Sequence, residues 1–490
     1  MPRSSSPGAS PPKASSLNAA RRSAELARTA EGTVDVLVVG LGATGAGAAL
    51  DAASRGLSVA AIDAHDLAFG TSRWSSKMIH GGLRYLAKAQ LGVAYESAVE
   101  RGILLNRTAP HLVRAHPYLL PLTPDVSRGQ ESLVMTGYRL GDGLRAAART
   151  PRRLLPGPSR LTAVRAREAA PVLSGYGLRG ALLSWDGRLE DDARLVVAIA
   201  RTAAAYGARV LTRCRALELT PTGARARDEL TGEEFTIRAR AVINAAGVWA
   251  GQLNPEVTLR PSRGTHLVLR GETLPGLRAG LHVPIPGESN RFALVLPQHD
   301  GRVYVGLTDE PVDGPVPDVP EAPEDDIRAL LEVLNGILEV PVTREAVAGA
   351  YAGLRPLLAP RGDGAGRTAD LSRRHAVLDA GGFVTVVGGK LTTYRRMAED
   401  AVDRAVRLAK LPAGPCVTTE VVLTGRAVRP YAEAEPEPAG AGVTKGELRF
   451  AVEHEGALDE DDLLDRRTRV GLIPEDRAAA LPIARDVLKG

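Results

Sequence analysis

The chain of 490 residues has only two cysteines, Cys214 and Cys416, and they lie far apart in the sequence. Cysteine-based metal sites and redox centres need two or more thiols at short, regular spacings. The two residues therefore provide neither, and we predict no metal site. Unpaired thiols in a chain of this size are typical of a reducing compartment, where we expect both side chains to be buried.

Aromatic residues are also scarce, at 4% of the chain, and the formal net charge is only +5. Proteins that bind single-stranded nucleic acid stack bases on aromatic side chains and present a basic surface. Residues 1–30 alone carry a charge of +4, which leaves +1 for the rest of the chain. The sequence therefore excludes nucleic acid as a partner.

Long hydrophobic runs are missing as well. No apolar stretch reaches the roughly 18–20 residues that span a bilayer, and the N-terminus lacks the apolar core of a secretory signal peptide. We therefore predict a cytoplasmic protein, and peripheral attachment to a membrane surface stays open.

The sequence does contain a glycine-rich turn between a strand and a helix. The apolar strand at 34–39 is followed by Gly40, Gly42 and Gly45 in G-x-G-x-x-G spacing. The first glycine permits the turn, the second lets a pyrophosphate approach the backbone, and the third brings helix against strand. Asp63 ends the next strand, where a carboxylate binds a ribose hydroxyl. These features predict an α/β protein with a Rossmann-type dinucleotide-binding fold.

Two later segments favour FAD over a nicotinamide cofactor. Residues 243–250 (INAAGVWA) put small side chains at a strand end, where flavin folds bring the chain close to the dinucleotide. Residues 386–395 (VVGGKLTTYR) put two glycines between a strand and a long helix, whose N-terminus would stabilise an anionic reduced flavin. We predict non-covalent FAD, because no histidine or cysteine lies in an obvious context for a covalent flavin link.

The pattern changes in two other parts of the chain. Residues 261–344 are typical of antiparallel hairpins, with one turn at 299–301. At the end of the chain, the acidic residues 459–462 and the pair Arg466–Arg467 match the dipole of one short helix in a small helical domain.

Three segments carry a more specific signal: 70–86 (GTSRWSSKMIHGGLRYL), 352–358 (AGLRPLL) and 388–403 (GGKLTTYRRMAEDAVD). Together with 186–195 and 450–469, they resemble the aerobic FAD-dependent glycerol-3-phosphate dehydrogenases. These are glutathione-reductase-like flavoproteins of the amino-acid-oxidase type. The resemblance covers nearly the whole chain beyond the N-terminal tail.

The resemblance implies oxidation of sn-glycerol 3-phosphate to dihydroxyacetone phosphate, with hydride transfer to flavin N5 and quinone as the electron acceptor. It also implies peripheral attachment to the inner face of the plasma membrane. We expect the basic tail to strengthen attachment to an anionic surface without creating it. Leu307 departs from the family pattern, which has threonine there. Whether the protein is a homodimer stays open.

The predicted domains are a basic disordered tail with a short helix (1–30), an FAD-dependent oxidoreductase domain (31–410), a linker (411–442) and a C-terminal helical domain (443–490). Within the oxidoreductase domain we assign about 31–115, 190–260 and 345–410 to FAD, and about 116–189 and 261–344, an antiparallel sheet, to the substrate.

Oxidising a secondary alcohol requires a base for the hydroxyl proton, and a phosphorylated substrate requires cations. His80 is the candidate base, and the alternative is a structural histidine beside the flavin. The resemblance places Arg84 and Tyr85 at the substrate, although the two would face opposite sides of a strand. It aligns Arg373 with the phosphate-binding arginine, and Arg374 is a competing choice.

Lys390 precedes the late helix, where a cation is electrostatically unfavourable and a functional reason is expected. Thr392 and Thr393 either cap that helix or bind the flavin. The predicted catalytic residues are His80, Arg84, Tyr85, Arg355 and Lys390, and the predicted substrate-binding residues are Arg84, Arg355, Arg373 and Lys390. The predicted cofactor-binding residues are Gly40, Gly42, Ala43, Thr44, Gly45, Asp63, Thr71, Ser75, Ser76, Lys77, His80, Gly81, Gly82, Ala246, Gly247, Gly389, Lys390, Leu391, Thr392 and Thr393.

Three other functions compete with this hypothesis. A glycerol-3-phosphate oxidase that uses dioxygen needs the same substrate pocket, so the sequence separates it poorly. An amine or amino-acid oxidase needs a carboxylate clamp, which the cluster Arg355, Arg373 and Lys390 disfavours. A non-catalytic FAD-binding protein would not need the set of His80, Arg84, Arg355 and Lys390.

Overall fold

The computed structural model describes residues 15–87, 90–288, 291–359 and 375–490. It has two large sheets with helices packed on them, which confirms the predicted α/β fold class. The helices are α1 (Ala19–Glu31), α2 (Ala43–Ser54), α3 (Leu83–Ala87), α4 (Leu91–Ile103), α5 (Arg128–Ala147), α6 (Ala163–Ala169), α7 (Asp192–Ala205), α8 (Ala250–Leu253), α9 (Glu324–Asn335), α10 (Tyr394–Ala409), α11 (Arg429–Ala434), α12 (Lys445–His454) and α13 (Pro474–Lys489). The strands are β1 (Thr33–Val39), β2 (Val59–Ile62), β3 (Met78–Ile79), β4 (Val113–Pro121), β5 (Ser159–Leu161), β6 (Ala181–Leu189), β7 (Arg209–Leu211), β8 (Cys214–Thr220), β9 (Gly223–Asp228), β10 (Glu234–Asn244), β11 (Ser262–Arg270), β12 (Gly280–Pro284), β13 (Phe292–Pro297), β14 (Arg302–Gly306), β15 (Glu310–Pro311), β16 (Val347–Arg355), β17 (Ala376–Ala380) and β18 (Phe383–Val387).

The first sheet has the strand order β17-β18-β10-β1-β2-β7, and β8 and β9 extend it beside β10. Strands β18, β10, β1, β2 and β7 run parallel. Their apolar runs are buried because α2, α7 and α10 pack together beside the sheet through alanine-rich faces. The strand and helix predicted around the glycine turn are β1 and α2, and α2 begins inside the turn at Ala43.

The second sheet has the order β15-β11-β14-β13-β12-β4-β6-β3, with β16 beside β11 and β5 beside β6. All its pairings are antiparallel except that of β12 with β4. The expected turn at 299–301 joins β13 to β14, and the apolar face of α9 covers the sheet. Strands β3 and β16 come from segments that we assigned to the FAD part, yet they pair within this second sheet.

Helix α1 packs against the first sheet, at β7 and β10. Its Arg22 is buried, and Arg22 Nη2 lies 2.6 Å from Asp228 Oδ1 in a buried ion pair. This part of the predicted tail is therefore joined to the folded body, and residues 1–14 lie outside the described residues.

The C-terminal helices α12 and α13 enclose a small core of their own. Between them, Asp462–Arg467 forms one wide helical turn with its charges at opposite ends. Arg466 and Arg467 are both buried, and both bind Asp66 in the loop that follows β2 of the first sheet. Among the helices of the described chain, none combines the length and apolar character needed to cross a bilayer.

Both cysteines are free thiols, but only Cys214 is buried as expected. Cys416 is half-buried, because it lies on the extended segment that follows α10 and covers the surface of the first sheet's helices.

Candidate active site

A cavity of about 1190 Å³ is lined by residues of both sheets. The carboxyl ends of the parallel strands β1 and β18 open into it, and β11 and β16 contribute the opposite wall. Ligands of open parallel sheets bind at the carboxyl ends of the strands. The position and size of the cavity therefore fit an extended dinucleotide.

The glycine turn is as tight as the motif predicts. Gly40 has a φ of +101°, and a Cβ there would lie 2.5 Å from Ala245 O. A Cβ on Gly45 would lie 1.8 Å from Gly40 O, so any side chain would force α2 away from the turn. Gly42 is the N-cap residue of α2, whose first turn carries no acidic residue. This helix N-terminus is therefore suited to a pyrophosphate.

Asp63 is fixed against the same turn. Its carboxylate accepts hydrogen bonds from the backbone N–H of Leu41 at 2.7 Å and of His65 at 2.9 Å. Burial raises the pKa of Asp63 to about 6, although both N–H groups favour the ionised form. The carboxylate lines the cavity and is positioned to accept a hydrogen bond from a ribose hydroxyl.

His80 reaches the cavity from a loop that three contacts hold in place. Its backbone N–H donates to Thr392 Oγ1 at 3.0 Å, and its Nδ1 lies 3.9 Å from Asp186 Oδ2. The next residue, Gly81, donates its N–H to both oxygens of Asp186, at 3.0 and 3.1 Å. Asp186 is itself bound by Arg101 Nη1 at 2.7 Å. The imidazole is 45% exposed and therefore accessible to a substrate.

The two glycines after His80 allow the chain to pack closely against α4. A Cβ on Gly81 would lie 2.0 Å from Arg101 Nη1. Gly82 has a φ of +84°, and a Cβ there would lie 3.0 Å from the backbone of Ala94 in α4. Close approach to α4 therefore accounts for both residues, of which only Gly82 lines the cavity.

Residues 83–87 form the helix α3 and not a strand, so the opposite-face argument for Arg84 and Tyr85 does not apply. The Tyr85 ring lines the cavity, and Lys390 Nζ lies 4.7 Å from its centre. Lys390 also donates a hydrogen bond to Ser97 of α4. This contact with an aromatic face and a neutral hydroxyl leaves the ammonium at the cavity wall.

Lys390 has an extended backbone and precedes a 3-10 turn at 391–393, so it lies outside the first turn of α10. Neither threonine caps α10 through its side chain. Thr392 Oγ1 accepts the His80 N–H, and Thr393 Oγ1 donates to Lys390 O at 3.3 Å. The turn therefore ties the lysine and the histidine segments together.

Arg355 ends β16 in the extended geometry that the following proline predicts. Its Nη1 lies 3.1 Å from both Ser262 Oγ and Asp309 Oδ1, and its Nη2 donates to Thr308 O at 3.3 Å. Leu307, the departure from the family pattern, lines the cavity beside it. The guanidinium is thus held rigidly at the cavity wall.

Lys77 does not reach the cavity. It is buried, its Nζ lies 2.9 Å from Asp192 Oδ2, and burial lowers its pKa to about 8. Its partner is on α7, in the segment 186–195 that contributes to the family resemblance, and nothing in that segment indicates the pairing. Of the other predicted residues, Gly45, Gly81 and Thr393 also do not line the cavity. Arg373 and the side chain of Arg84 lie outside the described residues.

The structure brings together most of the predicted site. The predicted residues that line the cavity are Gly40, Gly42, Ala43, Thr44, Asp63, Thr71, Ser75, Ser76, His80, Gly82, Tyr85, Ala246, Gly247, Arg355, Gly389, Lys390, Leu391 and Thr392.

Two histidines in the wall have no motif in the sequence. His266 Nε2 and Ser76 Oγ are hydrogen-bonded at 2.8 Å, and burial holds the pKa of His266 well below its usual range. His282 Nδ1 and Tyr138 Oη are bonded at 3.1 Å, and burial lowers the pKa of His282 to about 4. Both imidazoles are therefore neutral at pH 7. The sequence gives one indication of them: each lies in a strand, β11 or β12, in which every second side chain faces the same side of the sheet.

Comparisons with known proteins identify the family of the chain. A family model described as FAD dependent oxidoreductase matches residues 35–395. Glycerol-3-phosphate dehydrogenase 1 of Mycobacterium tuberculosis is 50% identical over 97% of this chain and 99% of its own length. The Mycobacterium leprae glycerol-3-phosphate dehydrogenase is 34% identical over 97% of this chain and 87% of its own length.

Solved structures show the same fold. The glycerol-3-phosphate dehydrogenase of Bacillus halodurans complexed with FAD superposes with a TM-score of 0.73, at 25% identity, over 96% of this chain and 94% of that one. The L-alpha-glycerophosphate oxidase of Mycoplasma pneumoniae with FAD bound, at 18% identity, has a TM-score of 0.59 over 81% of this chain and all of that one. The chain therefore belongs to the FAD-dependent oxidoreductase family and, within it, to the FAD-dependent glycerol-3-phosphate dehydrogenases.

Proposed function

We propose that this protein oxidises sn-glycerol 3-phosphate to dihydroxyacetone phosphate at a non-covalently bound FAD and passes the electrons to a quinone. The observation that carries the proposal is the grouping of His80, Tyr85, Arg355 and Lys390 on the wall of the cavity that begins at the glycine turn. The glycerol-3-phosphate dehydrogenases similar to this chain support the choice of substrate.

The reaction needs a base for the hydroxyl proton and cations for the phosphate. FAD, when bound, supplies the acceptor for the hydride that leaves C2 of the substrate. His80 takes the hydroxyl proton, and Asp186 orients the His80 segment by binding the next N–H. Lys390 and Arg355 provide positive charge at the wall. We assign the phosphate to Arg373, outside the described residues, from the family resemblance. The pocket thus selects an alcohol that carries a dianion.

The mouth of the cavity supports quinone as the acceptor. Leu133 and Leu140 of α5 are 66% and 58% exposed, lie two turns apart on one helix face, and both line the cavity. On the neighbouring α4, Leu91 and Tyr95 are also exposed. An apolar surface at the mouth fits the interfacial region of a membrane, from which a lipid-soluble quinone can enter. We place this face on the inner surface of the plasma membrane.

Replacing both exposed leucines tests the acceptor. The Leu133→Glu/Leu140→Glu variant should lose co-sedimentation with anionic liposomes and most quinone reduction there, and keep its rate with a soluble dye. Leu230→Glu, at a leucine 56% exposed in the loop after β9, is the matched control and should behave like the parent. Peroxide formed in step with substrate consumption, without any effect of quinone, would instead identify an oxidase.

A further inference from the structure

The wall of the cavity between Asp63 and Lys77 has almost no secondary structure of its own. This wall segment (residues 63–77) contributes Asp63, Thr71 and Ser76 to the cavity lining. All of its residues are described, and its only regular element is a 3-10 turn at 71–73. A binding site on such a loop keeps its geometry only when surrounding groups hold it.

One support of the wall segment comes from the C-terminal domain. Asp66 is fully buried, and its carboxylate accepts hydrogen bonds from Arg467 Nη1 and Nη2, both at 2.7 Å, and from Arg466 Nε at 2.6 Å. A bidentate arginine fixes the direction of a carboxylate as well as its position. Two residues later, the N–H of Ala68 donates to Leu41 O in the glycine turn at 3.0 Å. The arginines therefore hold a loop that is bonded directly to the dinucleotide motif.

A second support acts at the other end of the wall segment. Arg469 Nη2 donates to Arg73 O at 2.6 Å, and Arg469 Nε lies 3.2 Å from Asp191 Oδ2. The carbonyl of Arg469 accepts a hydrogen bond from Arg302 of the second sheet at 2.6 Å. Arg466, Arg467 and Arg469 are all buried. Three arginines within four positions thus reach both ends of one loop.

This arrangement differs from an ordinary contact between domains. A buried arginine is unfavourable unless its partners are well placed. Other contacts of the C-terminal domain with the body lie away from the cavity wall, as where Asp476 of α13 accepts from Arg270 of β11 at 2.8 Å. The three buried arginines instead converge on an irregular loop whose inner face lines the cavity.

We propose that the C-terminal domain is a working part of the flavin site, and that Arg466, Arg467 and Arg469 are positioning residues that hold the wall segment in its FAD-binding shape. Without them the wall segment adopts other conformations, and FAD binds only the fraction of molecules with the correct one. The apparent affinity falls by that fraction. The inference concerns FAD retention and does not depend on which acceptor takes the electrons.

The test measures FAD binding to the full-length protein after its flavin has been removed. Arg467→Met should raise the FAD dissociation constant, followed by quenching of flavin fluorescence, by about tenfold or more, the loss expected when a tenth of the molecules keep the correct wall. Hydrogen exchange in the flavin-free protein should rise in residues 63–77 and stay unchanged in β11 and β12. Arg270→Met, which breaks a contact of the C-terminal domain away from the wall segment, is the matched control and should leave the dissociation constant within about twofold of the parent.

A conservative variant keeps the test decisive. Arg467→Lys retains the charge and loses the bidentate geometry, so it should fold and weaken FAD binding by an intermediate factor. If Arg467→Met does not fold, the lysine variant alone decides the question. Parental FAD affinity with a lowered melting temperature would overturn the proposal, because the arginines would then only join two domains. An equal loss in Arg270→Met would overturn it as well.

Discussion

The backbone N–H of His80 donates a hydrogen bond to Thr392 Oγ1 at 3.0 Å, so the candidate base is fixed to the turn that follows Lys390. Thr392→Val should remove this bond and lower the rate of flavin reduction by about 2- to 10-fold, the value of one neutral hydrogen bond. Thr392→Ser keeps the hydroxyl and should restore the parental rate. Stopped-flow bleaching of the flavin measures both, and equal rates in the valine variant and the parent would show that the bond does not position His80.

The base itself has a larger expected effect. His80→Gln should slow anaerobic flavin reduction by sn-glycerol 3-phosphate about 10²- to 10⁴-fold, because an oriented base contributes that much. The rise of the rate with pH that an imidazole base causes should disappear. His299→Gln, at an exposed histidine between β13 and β14, is the control. A His80 variant within a few-fold of the parent would make this histidine structural and leave the proton to another group.

The phosphate ligand is tested by two neighbouring variants. Arg373→Ala should lower kcat/KM for sn-glycerol 3-phosphate by about 10- to 150-fold, since a charged hydrogen bond contributes about 1.5–3 kcal/mol. Glycerol, which has no phosphate, should be a poor substrate of the parent and nearly unaffected. Arg374→Ala is the matched control. A large effect in Arg374→Ala and none in Arg373→Ala would move the phosphate contact by one residue.

Glu455, which follows the last residue of α12, pairs with arginines of α7, and we expect acid to weaken this contact between the C-terminal domain and the body. Burial alone would raise its pKa, but three guanidinium groups hold the pKa of this carboxyl at about 2, below its usual 4.5. They belong to Arg194, Arg201 and Arg426. Because the folded-state pKa is lowered, the stabilisation is complete above pH 4.5 and is lost as the pH falls towards 2.

Glu455→Gln should therefore lower the free energy of unfolding by about 3 kcal/mol at pH 7, the equivalent of the shift in pKa. The difference from the parent should shrink between pH 4.5 and 2. Glu433→Gln, at an exposed residue of α11, should change stability by less than about 0.5 kcal/mol. Urea titrations at several pH values measure this, and a difference independent of pH would contradict the assignment.

The N-terminus divides into two parts with different expected effects. Deleting residues 1–14 should leave the melting temperature unchanged and weaken liposome binding at low salt, because Arg3 and Lys13 are lost. Deleting residues 1–30 also removes Arg22 and leaves buried Asp228 unpaired, which should cost about 3–5 kcal/mol. Thermal unfolding of the two truncated proteins separates these effects, and equal melting temperatures would mean that α1 adds no stability.

Local geometry explains which parts of the site the sequence predicts. Gly40 and Asp63 are predictable because a strand, a tight turn and a helix fix their positions within a short stretch of chain. Lys77 is not, because its partner Asp192 lies 115 residues further along and turns the ammonium away from the cavity. His266 and His282 are not predictable either, since the pairing of β11 with β16 and of β12 with β4, strands distant in the sequence, brings them to the wall.

Ion pairs between residues that lie far apart in the chain are equally hard to predict from the sequence. Arg466 and Arg467 match the dipole of their own short helix, and nothing in the neighbouring residues indicates that Asp66 is their partner. The contact joins residues 400 positions apart. Sequence spacing describes interactions within an element, whereas a buried ion pair between elements depends on the whole fold.

The walls of the cavity come from stretches that lie far apart in the chain, from Val39 to Met397. A ribosome that has made the glycine turn and its sheet neighbours has therefore not yet produced Lys390 or Thr392, which complete the flavin pocket. The nascent polypeptide must keep an open, partly apolar cleft until the late segment emerges. The pocket can therefore enclose a flavin only after this late segment has left the ribosome.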